Sequence, residues 1–317
     1  MRLPPARQAT VSPSLFRRLT VVAAVLLGLI VVSGAAVRLT SSGLGCPDWP
    51  RCTSTSLVAP ATYHALVEFV NRVITSLVGV FVGLVAVASL LRSPRRKDLV
   101  WLSWALVGGF VGQAVVGGLS VLYKLSPGWV MAHFLLSMLL VWDGLVLVHR
   151  ADPAWEPRQP SVPRELVVLG RVLVGVASVV LFLGTVTTGT GPHAGSGGHV
   201  KRLPFPLERV TQLHADSALL LTGLIVATLF AVRLAGAPPL VRRRAWWLGY
   251  AVLAQVAIGY TQYFLNLPSS VVELHVAGAT VLWSATLWLQ LGYTAPEPAP
   301  EEVLLPAVVG EVHHVHL

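Results

Sequence analysis

The sequence predicts an all-α polytopic membrane protein, with eight transmembrane helices forming two repeated four-helix bundles, and three observations predict it. Hydrophobic residues make up 54% of the 317 positions and charged residues only 12%, whereas an average soluble domain carries about a quarter charged residues. Apolar runs recur along the chain at the length of about 20 residues that a helix needs to cross a bilayer core. The polar residues of the second half repeat the spacing of those in the first. The net charge of +9 sits in short basic clusters between the runs, where it sets topology and offers no extended face to nucleic acid.

Residues 1–18 are a basic N-terminal segment, and the first apolar run, residues 19–37, is too long for a signal-peptide core, so it is read as a span. A loop with Cys46 and Cys52 follows. Further runs cover residues 63–91, 99–123 and 129–148, completing an N-terminal half over 19–150. After a basic, proline-bearing linker, runs at 165–190, 207–232, 245–265 and 270–291 make a C-terminal half over 165–291. The tail, 294–317, is rich in proline and is expected to be disordered, with His313, His314 and His316 as part of it. Most of the Lys and Arg, among them Arg17, Arg18, Arg92, Arg95, Arg96, Lys97, Arg150 and Arg242 to Arg244, fall on one side of these runs. Basic residues concentrate in cytoplasmic loops, which puts both termini in the cytoplasm and the cysteine loop outside. Two cysteines in one outer loop suit a single disulfide better than a metal site, which wants about four ligands.

Gln113, Gly117, Leu125 and His133 recur as Gln255, Gly259, Leu267 and His275, each 142 positions later, while Glu68 and Asn71 correspond to Thr211 and His214. A four-helix unit is therefore read as duplicated, and because four is even both copies cross the membrane in the same direction. Even-numbered helices then all enter from outside, so Glu68, Asn71, His133, His214 and His275 share the outer end. Two histidines at matched depth in a helix bundle, His214 and His275, are suited to the two axial positions of a heme. Zinc or copper would require more converging ligands than this depth offers.

The first copy keeps His133 but has Asn71 in place of the second histidine and Glu68 in place of Thr211. The two sites therefore have different tasks: a sealed electron-transfer heme in the second half, and in the first a heme with a weak or absent second ligand and an acid beside it. An ionisable group heading an apolar helix is by default a functional hypothesis, yet Glu68 and Arg72, four apart, can also simply pair at the rim. Both readings stay open on this stretch alone. His64 lies two turns further out on the same face as Asn71, too far to replace it. Arg38, Arg72, Lys201, Arg202 and Arg209 suit heme propionates or lipid headgroups alike, and Asp143 and Asp216 are read as packing or water-lined positions.

Taken together, Gly43 to Pro50 (GLGCPDWP) with Cys52, Glu68, Gln113 with Gly117, His133, His214 and Glu273-Leu274-His275 resemble the heme A synthase family over nearly all of residues 19–291. The resemblance implies eight helices in two like halves, a resident heme b in the C-terminal half, and the substrate, heme O, in the N-terminal half. The reaction it implies is oxidation of the C8 methyl of heme O to a formyl group, giving heme A for terminal oxidases, by an enzyme of the bacterial cell membrane. His214 and His275 then match the heme b iron ligands, His133 a ligand of the substrate heme iron, Glu68 the catalytic acid and Cys46 with Cys52 a disulfide-forming pair. Asn71 and Arg72 line the substrate side, and Asn71 departs from the family's histidine. Membrane lipid, a heme O synthase and a redox partner are the partners to be expected. A diheme b-type electron-transfer protein is the alternative, but it gives no reason for the asymmetry of Glu68 and Asn71. A transporter would break its helices at the midplane, whereas the prolines here lie in loops, and a heme O synthase would need clustered aspartates for magnesium.

Overall fold

The computed structural model describes residues 10–156 and 160–294, so the tail expected to be disordered lies almost entirely outside the described residues. These residues form eight helices: α1 (Pro13–Leu39), α2 (Tyr63–Leu91), α3 (Lys97–Leu122), α4 (Pro127–Arg150), α5 (Arg164–Thr190), α6 (Leu207–Leu234), α7 (Pro239–Phe264) and α8 (Ser269–Gly292). Proline sets many of their starts, since it lacks the N–H that a first turn leaves unpaired anyway. Pro13, Pro127 and Pro239 stand in first turns, while Pro163, Pro206 and Pro268 are N-caps. Helix α1 begins well before its apolar run because the Ser12 hydroxyl accepts the Leu15 N–H at 3.2 Å, capping the basic first turns.

Seven of the eight helices are long and apolar enough to cross a membrane. Helix α7 has the length but carries Arg242 to Arg244, Gln255, Gln262 and several Trp and Tyr. Its buried Arg244 stacks 4.2 Å from the Trp288 ring and donates to the Trp288 carbonyl at 2.6 Å. Large apolar side chains such as Trp101, Leu219 and Phe230 are exposed around the outside, the surface that lipid would cover. The chain is thus an all-α polytopic membrane protein.

Each half closes on itself. Helices α1 to α4 pack in a ring, each against the next and α4 against α1, and α5 to α8 do the same; α1 with α8, α4 with α5 and α4 with α8 join the halves. In lipid, small residues rather than apolar burial bring helices close. Gly109 seats Leu140, Gly79 seats Phe110 and Gly144 lies against Leu27 and Ala24. At the seam the Trp283 indole donates to the Met138 carbonyl at 3.0 Å.

The α3–α4 and α7–α8 turns are built alike. Lys124 and Leu125, and Asn266 and Leu267, all have positive φ, while Leu125 N–H bonds Ser120 O and Leu267 N–H bonds Gln262 O, both at 2.7 Å. A left-handed non-glycine residue costs about 1–2 kcal/mol, and Leu125 offsets it by burying its side chain against Gly43 and Gly195. These two turns, the cysteine loop and residues 191–206 meet at one end of the molecule: Gly43 N–H bonds Gly195 O at 2.8 Å, and His193 Nε2 bonds Leu267 O at 2.8 Å.

Candidate functional site

The cysteine loop is held down by α2. Glu68, only 5% exposed, accepts the Cys46 N–H on Oε2 at 2.8 Å and the Arg72 guanidinium on Oε1 at 2.6 Å. Arg72 in turn donates to the carbonyls of Cys46, Asp48 and Arg51. Glu68 and Arg72 therefore do pair, and the pair does more than neutralise a rim: it fastens the loop over the N-terminal half. Cys46 and Cys52 are buried at disulfide distance, with Cα atoms 4.3 Å apart. Trp49 lies so close on Gly118 of α3 that a Cβ there would come within 2.6 Å of the indole. His64 is exposed and shares a 3.0 Å hydrogen bond with the Ser42 hydroxyl, so the loop rather than the helix interior engages it.

Beneath this loop, His133 of α4 lies against Gly117 of α3, where a Cβ would approach its Cε1 to 2.8 Å. Gln113, one turn along α3, donates to the His133 carbonyl at 2.9 Å and to the Ser137 hydroxyl. His133 Nδ1 is buried without a hydrogen-bond partner. Asn71 of α2 turns to α1, where its Oδ1 accepts the Ser33 hydroxyl at 2.8 Å.

The C-terminal half brings its two histidines together. The His214 and His275 rings lie 6.3 Å apart at 75°. Two metal–nitrogen bonds of about 2 Å plus two ring half-widths span about 6 Å, so the spacing admits one metal ion between the imidazoles. His214 Nδ1 bonds the Val180 carbonyl at 3.1 Å; since a carbonyl only accepts, Nδ1 carries the proton and Nε2 keeps the lone pair a metal requires. Gln255 donates to the His275 carbonyl at 2.9 Å and lies 3.2 Å from Nδ1, and Gly259 and Gly184 give the His275 and His214 rings their room. Among the described residues no group of three or more His, Cys, Asp or Glu is placed to hold a bare metal ion. A macrocycle brings four equatorial nitrogens of its own and needs only the two axial ones, so the donor set fits a heme.

At the same end Arg38 donates to the carbonyls of His193 and Thr188, and Arg202 to those of Thr188 and Gly191. Neither has a carboxylate partner among the described residues, and burial holds the Arg202 guanidinium, which lies outside the spans, below its ordinary pKa. Asp216 is exposed on α6 and Asp143 half-buried on α4; neither joins the histidines. Sequence reasoning did not single out Ser33, Val180 or Gly184. A serine, a valine and a glycine inside apolar helices carry no signal of their own until the fold shows what they face.

The sequence pattern of the family described as cytochrome oxidase assembly protein matches residues 17–65 and 58–195. The chain is 30% identical over 113 residues to the heme A synthase of Geobacillus kaustophilus, a match covering 35% of each chain. It is 25% identical over 175 residues to that of Staphylococcus saprophyticus, 54% of this chain and 56% of the relative. Against the Staphylococcus epidermidis protein it is 22% identical over 201 residues, 62% of this chain and 65% of the relative. The chain thus aligns with about a third to two thirds of the length of these relatives.

Proposed function

From the premise that the chain belongs to the cytochrome oxidase assembly protein family, we propose that it is a heme A synthase of the cell membrane. It oxidises the C8 methyl of heme O to a formyl group with the help of a resident heme b. The observation that carries the reading is the pair of unlike halves: the His214 and His275 imidazoles 6.3 Å apart in one, and in the other His133, with Asn71 in place of a second histidine and the buried carboxylate of Glu68. A catalyst that modifies one heme with the aid of another needs such a difference.

Converting a methyl to a formyl group takes one water and releases four protons and four electrons. A heme b held between His214 and His275 would supply one-electron chemistry, relaying these electrons in turn to an external redox partner. His133 is the imidazole that retains the substrate heme. Glu68 places a negative charge where the methyl carbon becomes electron-poor, an interaction worth most in a dry, low-dielectric site. Its carboxylate is also the group that takes a proton from the attacking water, once it exchanges the Cys46 N–H or Arg72 for that water. Arg72 then keeps the loop closed through its three carbonyl partners. The recurring spacing supports a duplicated unit, 19–150 and 165–291, and the basic clusters support an orientation with both termini in the cytoplasm and the cysteine loop outside.

Pigments extracted from the purified protein test this. Heme B together with heme O or heme A is the expected result; heme B alone, in cells that make heme O, moves the assignment to a diheme electron-transfer protein. His214→Ala and His275→Ala should each abolish the low-spin spectrum, and an unchanged spectrum in both would remove these residues as ligands.

A further inference from the structure

We propose that Ser33 of α1 limits the N-terminal half to a single imidazole, and that Ser33 with Asn71 is a matched pair occupying the place held in the C-terminal half by Gly184 with His214. The inference rests on the two-heme reading above.

Helices α1 and α5 are both 27 residues long, and Ser33 and Gly184 stand at the same position in each. Gly184 faces His214: a Cβ added there would lie 3.1 Å from the imidazole Cε1, closer than carbon atoms ordinarily pack. The His214 ring therefore uses the space that a side chain at 184 would take. In the other half that side chain is present. The Ser33 hydroxyl donates to Asn71 Oδ1 at 2.8 Å and leans on the Ile30 carbonyl at 3.2 Å. An asparagine is shorter than a histidine and uses the hydroxyl as a partner. A histidine at 71 would meet Ser33 as His214 would meet a side chain at 184.

The consequence is chemical. A heme held by His133 alone would keep one axial position open, while a heme held between His214 and His275 would be closed to small ligands. The departure at position 71 is then one half of a two-residue change on two helices. The other half is the serine.

The test uses the full-length protein purified in detergent, loaded with heme B, reduced, and exposed to carbon monoxide, which binds only iron with an open axial position. In the wild type, about half of the bound heme should react with carbon monoxide and half should show a low-spin spectrum. Asn71→His alone should leave the reactive fraction unchanged, because Ser33 still blocks the ring. Asn71→His with Ser33→Gly should lower that fraction about fivefold or more and raise the low-spin band. Gly184→Ser should do the reverse, making the C-terminal heme reactive. Closure of the site by Asn71→His alone would overturn the proposal. So would a double variant that stays reactive while its C-terminal low-spin band shows that it is folded and loaded. The underlying reading fails separately: there His133→Ala would leave the reactive fraction, and His214→Ala the low-spin band, as in the wild type.

Discussion

A carboxylate with both oxygens engaged inside a membrane helix either serves structure or is held ready for chemistry, and Glu68 does the first visibly. Glu68→Gln retains a carbonyl oxygen for the Cys46 N–H but loses the charge opposite Arg72. We expect the variant to bind heme as the wild type does yet to lose conversion of heme O by about 100-fold or more, measured by chromatography of extracted hemes. Wild-type conversion would reduce Glu68 to a fastener of the loop. Gln255 makes a second case at this scale. Its Oε1 is buried without a partner while its Nε2 bonds the His275 carbonyl. Were iron bound at His275 Nε2, the ring proton would lie on Nδ1, and a half-turn of the amide would present Oε1 to it. Partners of this kind orient metal-bound histidines, and their loss typically costs 10–100-fold in affinity. Gln255→Leu should weaken heme b retention by about tenfold on that scale, read by titration of heme into the purified protein, with Gln255→Glu restoring binding and lowering the midpoint potential.

Among the elements, the cysteine loop and α7 each behave unlike a simple span or connector. The loop is tied by Glu68, Arg72, Trp49 and the Gly43–Gly195 hydrogen bond as well as by its cysteines. Replacing Cys46 and Cys52 together by Ser should therefore raise proteolytic cutting of residues 46–62 while leaving the heme b spectrum unchanged. Mass spectrometry of the non-reduced, air-exposed protein should find the two thiols joined; two free thiols would remove the bridge. Helix α7 is the least apolar of the eight: besides the exposed Arg242 and Arg243, it supplies Gln255 to the His275 carbonyl and Arg244 to the Trp288 carbonyl. A helix that spends inward positions on polar partners carries a weaker hydrophobic signal than its neighbours.

At the scale of the whole molecule, α4 and α8 carry His133 and His275 and also pack on each other, so the seam between the halves fixes how the two sites are placed. Trp283 is its clearest polar link, donating across the seam to Met138 O and meeting Trp142 edge to face with ring centres 6.0 Å apart. Trp283→Phe removes the donor and leaves a buried carbonyl with one partner fewer, a loss of about 1 kcal/mol. Thermal melting in detergent should show a lower midpoint. Each half keeps its own closed ring of helices, so the low-spin spectrum should persist in this variant below the transition.

By itself the sequence determined the membrane class, the eight helices and the residues worth examining, because apolar length and the recurrence of Gln113, Gly117 and His133 as Gln255, Gly259 and His275 are written in one dimension. It also named both sides of the Glu68 question without deciding it, since spacing of four permits an ion pair whatever else the carboxylate does. Only the tertiary structure decided that Glu68 and Arg72 grip the cysteine loop, that His214 and His275 stand at a spacing one iron can bridge, and that Ser33 faces Asn71 as Gly184 faces His214. The reason is physical: hydropathy and periodicity fix which face of a helix turns inward, but what a side chain meets there is set by a different helix, from a distant part of the chain, at distances of a few ångströms that no local pattern encodes.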